Sequence, residues 1–164
     1  MRLIRFLLVS LFILAGLITA ISSLFPSTVI VSRAVEVNTA PSNIAYFVAD
    51  LSHWNEWMSE WKENKVVFKD KTAYIGTQTI QPIDQTDSSV TYHWVASGQA
   101  PYKVRLEWIH LKENTYVIHW SFEQHVQWYP WEKFQTLLNE KLLGTKMEIE
   151  LAHLKEAIDS RLTQ

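Results

Sequence analysis

Twenty consecutive residues, Phe6 to Phe25, carry no charge, and this run constrains the chain more than any other feature. As a helix rising 1.5 Å per residue it is about 30 Å long, the thickness of a bilayer hydrocarbon core. The apolar region of a secretory signal is shorter, about 7–15 residues. Residues 1–25 are therefore expected to form a transmembrane anchor. A cleaved signal segment is the alternative: Ala20-Ile21-Ser22 is a passable cleavage site, although apolarity continues through Leu24 and Phe25. Either reading exports the rest of the chain. Arg2 and Arg5 precede the run and only Arg33 follows closely. The positive-inside rule then gives a single-pass protein of the cytoplasmic membrane, with its N-terminus inside and its C-terminal domain extracytoplasmic.

Residues 26–164 have the length of one soluble domain. All 17 acidic residues fall there against 13 of the 15 basic ones, a net charge of −4. No basic cluster stands out, and phosphate binding needs one, so nucleic acid is not an expected partner. The chain has no cysteine, which excludes disulfides and thiolate sites.

Periodicity orders the domain. Thr28 to Asn38 reads as a strand with Val29, Val31, Val35 and Val37 on one parity. Thr39 is a plausible cap for a helix over Pro41–Leu51, with proline in its first turn. Ser52 is a candidate cap for a second short helix that places Trp54, Trp57 and Trp61 on one face. The period then becomes two. Strands are expected at Lys65–Lys69, Ala73–Gln81, Ser88–Ala96, Tyr102–Leu111 and Thr115–Gln124, joined as an antiparallel meander. For the last two to share a buried face, Leu106 must oppose Trp120. That predicts a three-residue loop, Lys112-Glu113-Asn114, with Asn114 left-handed. After Pro130 the period returns to 3.6, with one stripe in Phe134, Leu137, Leu138 and Leu142 and another in Met147, Leu151, Leu154 and Ile158. Gly144 suits a helix end, and Thr145 with Glu148 has capping-box spacing. Two helices meeting at Gly144 are expected, with a kinked single helix as the alternative.

The segment from Pro26 to Trp61 resembles the opening of the SRPBCC superfamily, the START and polyketide cyclase/dehydrase-like proteins. The resemblance is carried by a strand, Ala40-Pro41, a helix and Trp54-x-x-Trp57. The close of the chain resembles the family in Tyr129-Pro130, Leu142-Leu143-Gly144, Met147-Glu148 and Leu151-x-x-Leu154-Lys155. In order of elements the likeness covers residues 27 to about 161. The middle departs from it: the glycine pair that many relatives carry around the third and fourth strands is missing. The resemblance implies an α+β helix-grip fold, in which a curved antiparallel sheet wraps a long C-terminal helix and leaves an apolar cavity. Membrane-anchored members begin with an apolar segment like this one.

Sequence motifs for catalysis are absent. There is no G-x-S-x-G, G-x-x-x-x-G-K-[ST], H-E-x-x-H or G-x-G-x-x-G. His93 and His119 fall on the parity opposite the apolar residues and His110 falls with them, so no metal site is expected. No cofactor and no catalytic residue is assigned. Asp84 and Asp87 read as turn formers. His110 and Tyr116 are the in-facing candidates for acid or base chemistry, and neither has a visible partner. What remains is aromatic. Eight tryptophans exceed the needs of a core this size, yet aromatics dominate cores as well as pockets. Ligand-binding positions are expected at Tyr92, Trp94, Leu106, Trp108, Tyr116, Ile118 and Trp120 on the sheet and at Met147, Leu151 and Leu154 on the helix. The expected function is a membrane-tethered domain that binds a hydrophobic small molecule or lipid, with residues 6–25 in the membrane. A cyclase, dehydratase or hydrolase using the same cavity, and a protein-interaction domain with a filled core, are the alternatives.

Overall fold

A computed structural model describes residues 2–23, 27–98, 100–125 and 130–162, without the side chains of residues 22–23 and 130–139. The first helix, α1 (Arg2–Ser23), precedes β1 (Thr28–Asn38), α2 (Pro41–Ala49), a 3₁₀ helix (Leu51–Glu56) and α3 (Ser59–Glu63). Six strands follow: β2 (Val66–Lys69), β3 (Thr72–Ile75), β4 (Gln78–Gln85), β5 (Ser89–Ala96), β6 (Tyr102–Lys112) and β7 (Thr115–His125). The chain then enters α4 (Pro130–Leu162). The strands form one antiparallel sheet in the order β1-β7-β6-β5-β4-β3-β2. The sheet curves around α4, the helix-grip architecture.

Every described side chain of α1 is exposed. Apolar side chains so placed in water are unfavourable by about 25 cal/mol per Å², and a bilayer removes that cost. Among the described residues, the buried core cluster takes no side chain from α1.

The inner face of the sheet follows from strand parity. Val90, Tyr92 and Trp94 of β5, Val104, Leu106 and Trp108 of β6, and Ile118, Trp120 and Phe122 of β7 are all buried. They meet Met147, Leu151, Leu154 and Ile158 of α4, which are buried too. Register ties the face together, with Val90 opposite Leu106 and Leu106 opposite Trp120. On β1 the same face carries Val29, Val31, Val35 and Val37, but Arg33 stands among them.

Arg33 explains Gly144. The α4 helix runs unbroken through that glycine, which has no positive φ, so the expected helix end is not there. A Cβ at Gly144 would run into the Arg33 guanidinium, which crosses the helix at this point to reach Glu148. Thr145 does not cap; its hydroxyl donates back to the Lys141 carbonyl 3.0 Å away. Glycine is used for close approach here, and its local helix-ending signal is overridden by intrahelical bonds on both sides. Of the expected first stripe, Leu142 is exposed and Leu143 turns to the core instead. Phe134, Leu137 and Leu138 lie outside the described side chains.

Other local expectations change for similar reasons. The residue before α2 that caps it by position is Ala40, without a side-chain bond; the buried Thr39 hydroxyl accepts from Asn43 at 3.0 Å. Asp50, not Ser52, caps the 3₁₀ helix, accepting from the Ser52 N–H at 2.9 Å. These bonds lower the Asp50 pKa. The segment Ala73–Gln81 is two strands, because Gly76 takes a positive φ of 55° and turns the chain. Asp70 and Lys71, both with positive φ, make the two-residue turn between β2 and β3. Asp84 lies in β4 beside a bulge, while Asp87 sits in the turn that follows.

The β6–β7 hairpin reaches the expected register by another route. Leu106 opposes Trp120 and Trp108 opposes Ile118. The turn, however, is the two-residue Glu113-Asn114, and the positive φ of 46° belongs to Glu113. A register shift between His110 and Lys112 absorbs the residue expected in the loop. An extra residue in one strand restores side-chain parity as well as an odd loop does.

Candidate functional site

Two short helices close one side of the sheet, and their tryptophans hold them there. Trp54, Trp57 and Trp61 are buried, divided between the 3₁₀ helix, the link after it and α3. The last carbonyls of α2 lack helical partners. The Trp57 indole N–H donates to the Phe47 carbonyl at 3.1 Å, and the Trp54 N–H donates to the Val48 carbonyl at 3.3 Å. The Tyr92 hydroxyl also donates to Val48, at 2.6 Å. Burial, then the charge of Asp50, raises the Tyr92 pKa far beyond its ordinary value, so the hydroxyl keeps its proton. The Trp54/Trp57/Trp61 face is thus interior.

Glu150 fixes the other end of this layer. It is a buried carboxylate, held by the Ser59 N–H at 2.9 Å, with the Ser59 hydroxyl at 3.3 Å and His153 Nδ1 at 3.4 Å. It thereby ties α4 to the start of α3. A carboxylate 91 positions from Ser59 gives no local sequence signal, and the periodic reading missed it.

Between α3, the inner face of the sheet and α4 lies a cleft of about 320 Å³. Its walls are Met58, Trp94, Trp120, Phe122, Leu143 and Met147, with Tyr102 beside them. One side is polar and linked. Lys146 Nζ lies 2.7 Å from Glu60 Oε2, Gln78 donates to Glu60 Oε1, and Trp94 Nε1 donates to Gln78 Oε1 at 2.7 Å. The exposed Leu142 and Lys146 form the rim. Tyr102 is half-buried; burial raises its pKa, and a hydrogen bond with the Gln124 side chain opposes the rise. Trp120 is buried, and its Nε1 has no acceptor among the described residues.

The cleft sits at one end of the sheet. Tyr102 begins β6 and pairs with Gln124 near the end of β7, which pairs with Val29 near the start of β1. This is the end from which the chain runs back to α1. The five steps from Ser23 to Thr28 span at most about 18 Å, at 3.3–3.6 Å per residue.

Of the expected ligand positions, Trp94, Trp120 and Met147 line the cleft. Tyr92, Leu106, Ile118, Leu151 and Leu154 belong to the packed core deeper in the sheet. Trp108 and Tyr116 border a separate depression at the opposite end, with His110 and Pro41. His110 is exposed rather than in-facing; its Nε2 lies 2.8 Å from the Glu113 carbonyl and its ring meets Tyr116 edge-on. Phe122 and Tyr102, which also line the cleft, share the parity of the inner face but were not among the expected positions. Met58, Glu60, Gln78, Leu143 and Lys146 were not, because contacts across the fold bring them together.

Among the described residues no group of three or more His, Cys, Asp or Glu is placed to hold a metal ion. Glu60 is the carboxylate of the cleft, and both its oxygens are engaged at the rim. The His153–Glu150 pair lies under α3 and lines no part of the cleft. A wider groove of about 630 Å³ runs between α2 and the β2–β4 region, over the exposed Phe68, Lys71 and Ile83.

No family model matches the chain, and no curated protein matches it. Solved structures do. It is similar to a START superfamily protein from Mycobacterium smegmatis, with a TM-score of 0.60 and 14% identity over 80% of this chain and 97% of that one. CalU16 from Micromonospora echinospora superposes with a TM-score of 0.57 and 14% identity over 84% and 90%. Aha1 from Colwellia psychrerythraea, solved as a dimer, gives 0.57 and 13% over 79% and 96%. The fold is shared while the sequences have diverged, so the likeness is one of architecture.

Proposed function

We propose that this chain is a membrane-tethered, extracytoplasmic domain that takes an apolar small molecule or lipid-like ligand into the cleft between its sheet and α4. The observation that carries the reading is the cleft itself. About 320 Å³ beside Trp94, Trp120, Phe122 and Met147 is left unfilled next to a continuous cluster of buried apolar side chains. Protein interiors tolerate few such voids, and apolar concavities with a few polar groups are where small ligands bind. A ligand burying about 300 Å² of apolar surface there gains about 7 kcal/mol before the costs of association.

The tether rests on α1. Its 22 residues make a helix of about 33 Å, long and apolar enough to cross a membrane. A reporter fused after Gln164 is expected to read extracytoplasmic, because Arg2 and Arg5 precede the span; a cytoplasmic signal contradicts the topology. For the ligand, residues 27–164 titrated with 2-ethylnaphthalene should show saturable quenching of tryptophan emission at micromolar concentration. A linear, unsaturable response contradicts the binding reading.

A further inference from the structure

We infer that the end of the domain that carries the cleft is a docking surface for the bilayer that holds α1, seated on the leaflet that α1 leaves, with Leu142 as its apolar contact. The inference rests on the tether proposed above and adds an orientation to it: the cleft opens onto lipid rather than onto water.

The length of the connecting chain carries it. The apolar window of α1 ends at Ile21 and β1 begins at Thr28. Those seven steps span at most about 25 Å, at 3.3–3.6 Å per residue. β1 itself runs from Thr28 to Asn38, ten steps or about 33 Å. The connection is therefore shorter than the sheet is tall. An inverted domain would hold Thr28 about 33 Å from the leaflet, beyond the reach of the chain. The end that remains near the membrane is the one where Val29 faces Gln124 and Gln124 faces Tyr102, and Tyr102 lines the cleft. In keeping with this, α1 comes within 8 Å of α4, measured between Cα atoms, and α4 carries the rim.

The surface at this end suits a leaflet. Leu142 is 72% exposed on the rim of the cleft, and Ile30 is 60% exposed two residues into β1. Apolar surface of this kind gains by leaving water. Lys103, Lys141 and Lys146 offset Glu60, Glu123 and Glu140 here. The opposite end carries Asp84, Asp87, Glu107 and Glu113 against Arg105 and Lys112. Anionic lipid repels that second end and does not repel the first.

The test uses the full chain in vesicles of phosphatidylcholine and phosphatidylglycerol. The chain has no cysteine, so Leu142→Cys, Lys103→Cys and Leu111→Cys each supply one thiol for a bimane label. All three positions are exposed. The quencher is a phospholipid with a nitroxide on its acyl chain close to the headgroup. The label at 142 should lose most of its emission. At 103, one residue beyond Tyr102, it should lose part. At 111, at the far end of β6, it should keep the emission it has in vesicles without nitroxide. Lys103 is polar, so its label reports position without replacing the apolar contact. Adding Leu142→Asp to that labelled chain should return much of the emission at 103. Equal quenching at all three positions, no quenching at 142, strongest quenching at 111, or a signal at 103 indifferent to Leu142→Asp overturns the inference and leaves the tether standing. If the chain leaves the vesicles in an alkaline wash, the tether falls and the inference with it.

Discussion

Trp54→Ala should cost the domain about 3–5 kcal/mol, the range for removing a large buried aromatic. Trp54 is fully buried and its ring lies 5.0 Å from Tyr92, 5.3 Å from both Trp57 and Trp61, and 6.1 Å from Trp94. It is the member of this cluster that touches all the others. The substitution leaves a cavity and removes a donor from the Val48 carbonyl, which keeps Tyr92 as its partner. Against a total stability of about 5–15 kcal/mol for a domain, a loss of that size brings many molecules close to unfolding. Urea denaturation should show a lower midpoint with an unchanged slope. A loss below about 1 kcal/mol would mean that the helical layer is not part of the cooperative core.

The second large effect separates the cleft from the core around it. Leu143→Trp places a larger ring where Leu143 now lines the cleft. It should weaken 2-ethylnaphthalene binding at least tenfold while changing stability by less than about 1 kcal/mol, because the added atoms enter open space. Leu151→Trp lies just over two helical turns further along α4, where the side chain is 2% exposed. That change should cost about 1–3 kcal/mol through overpacking. If Leu143→Trp proves the destabilising one, the unfilled space has been assigned to the wrong turn of α4.

That pair of leucines also shows what the sequence could and could not convey. Alternation along β5, β6 and β7 identified the inner face, since a strand's period of two is a local property. The Met147–Leu151–Leu154–Ile158 stripe was legible for the same reason, with a period of 3.6. Neither period says where the sheet and helix separate. Tyr92, Leu106 and Leu154 share their face with Trp94 and Met147, yet the former fill the core and the latter line a cleft.

Gly144 failed as a helix end because its meaning was tertiary. Arg33, 111 positions earlier, occupies the space that a side chain there would need. The Lys146–Glu60 pair and the Glu150–Ser59 cap link residues 86 and 91 positions apart. Pairs of that kind leave no periodic trace. The hairpin at Glu113-Asn114 is the opposite case: the register was fixed by the buried face, and two different turns could satisfy it.

The account's central claim is that the space beside Trp94 and Trp120 is a binding site. The most direct measurement is a ¹⁵N–¹H spectrum of the tryptophan indoles of residues 27–164 during titration with 2-ethylnaphthalene. The Trp94 and Trp120 indole signals should move saturably and with one common affinity. Those of Trp54, Trp57 and Trp108, which line no part of the cleft, should stay within a small fraction of that shift. Saturable movement centred on Trp54 and Trp57 with Trp120 unmoved, or no saturable movement at any indole, would contradict the claim.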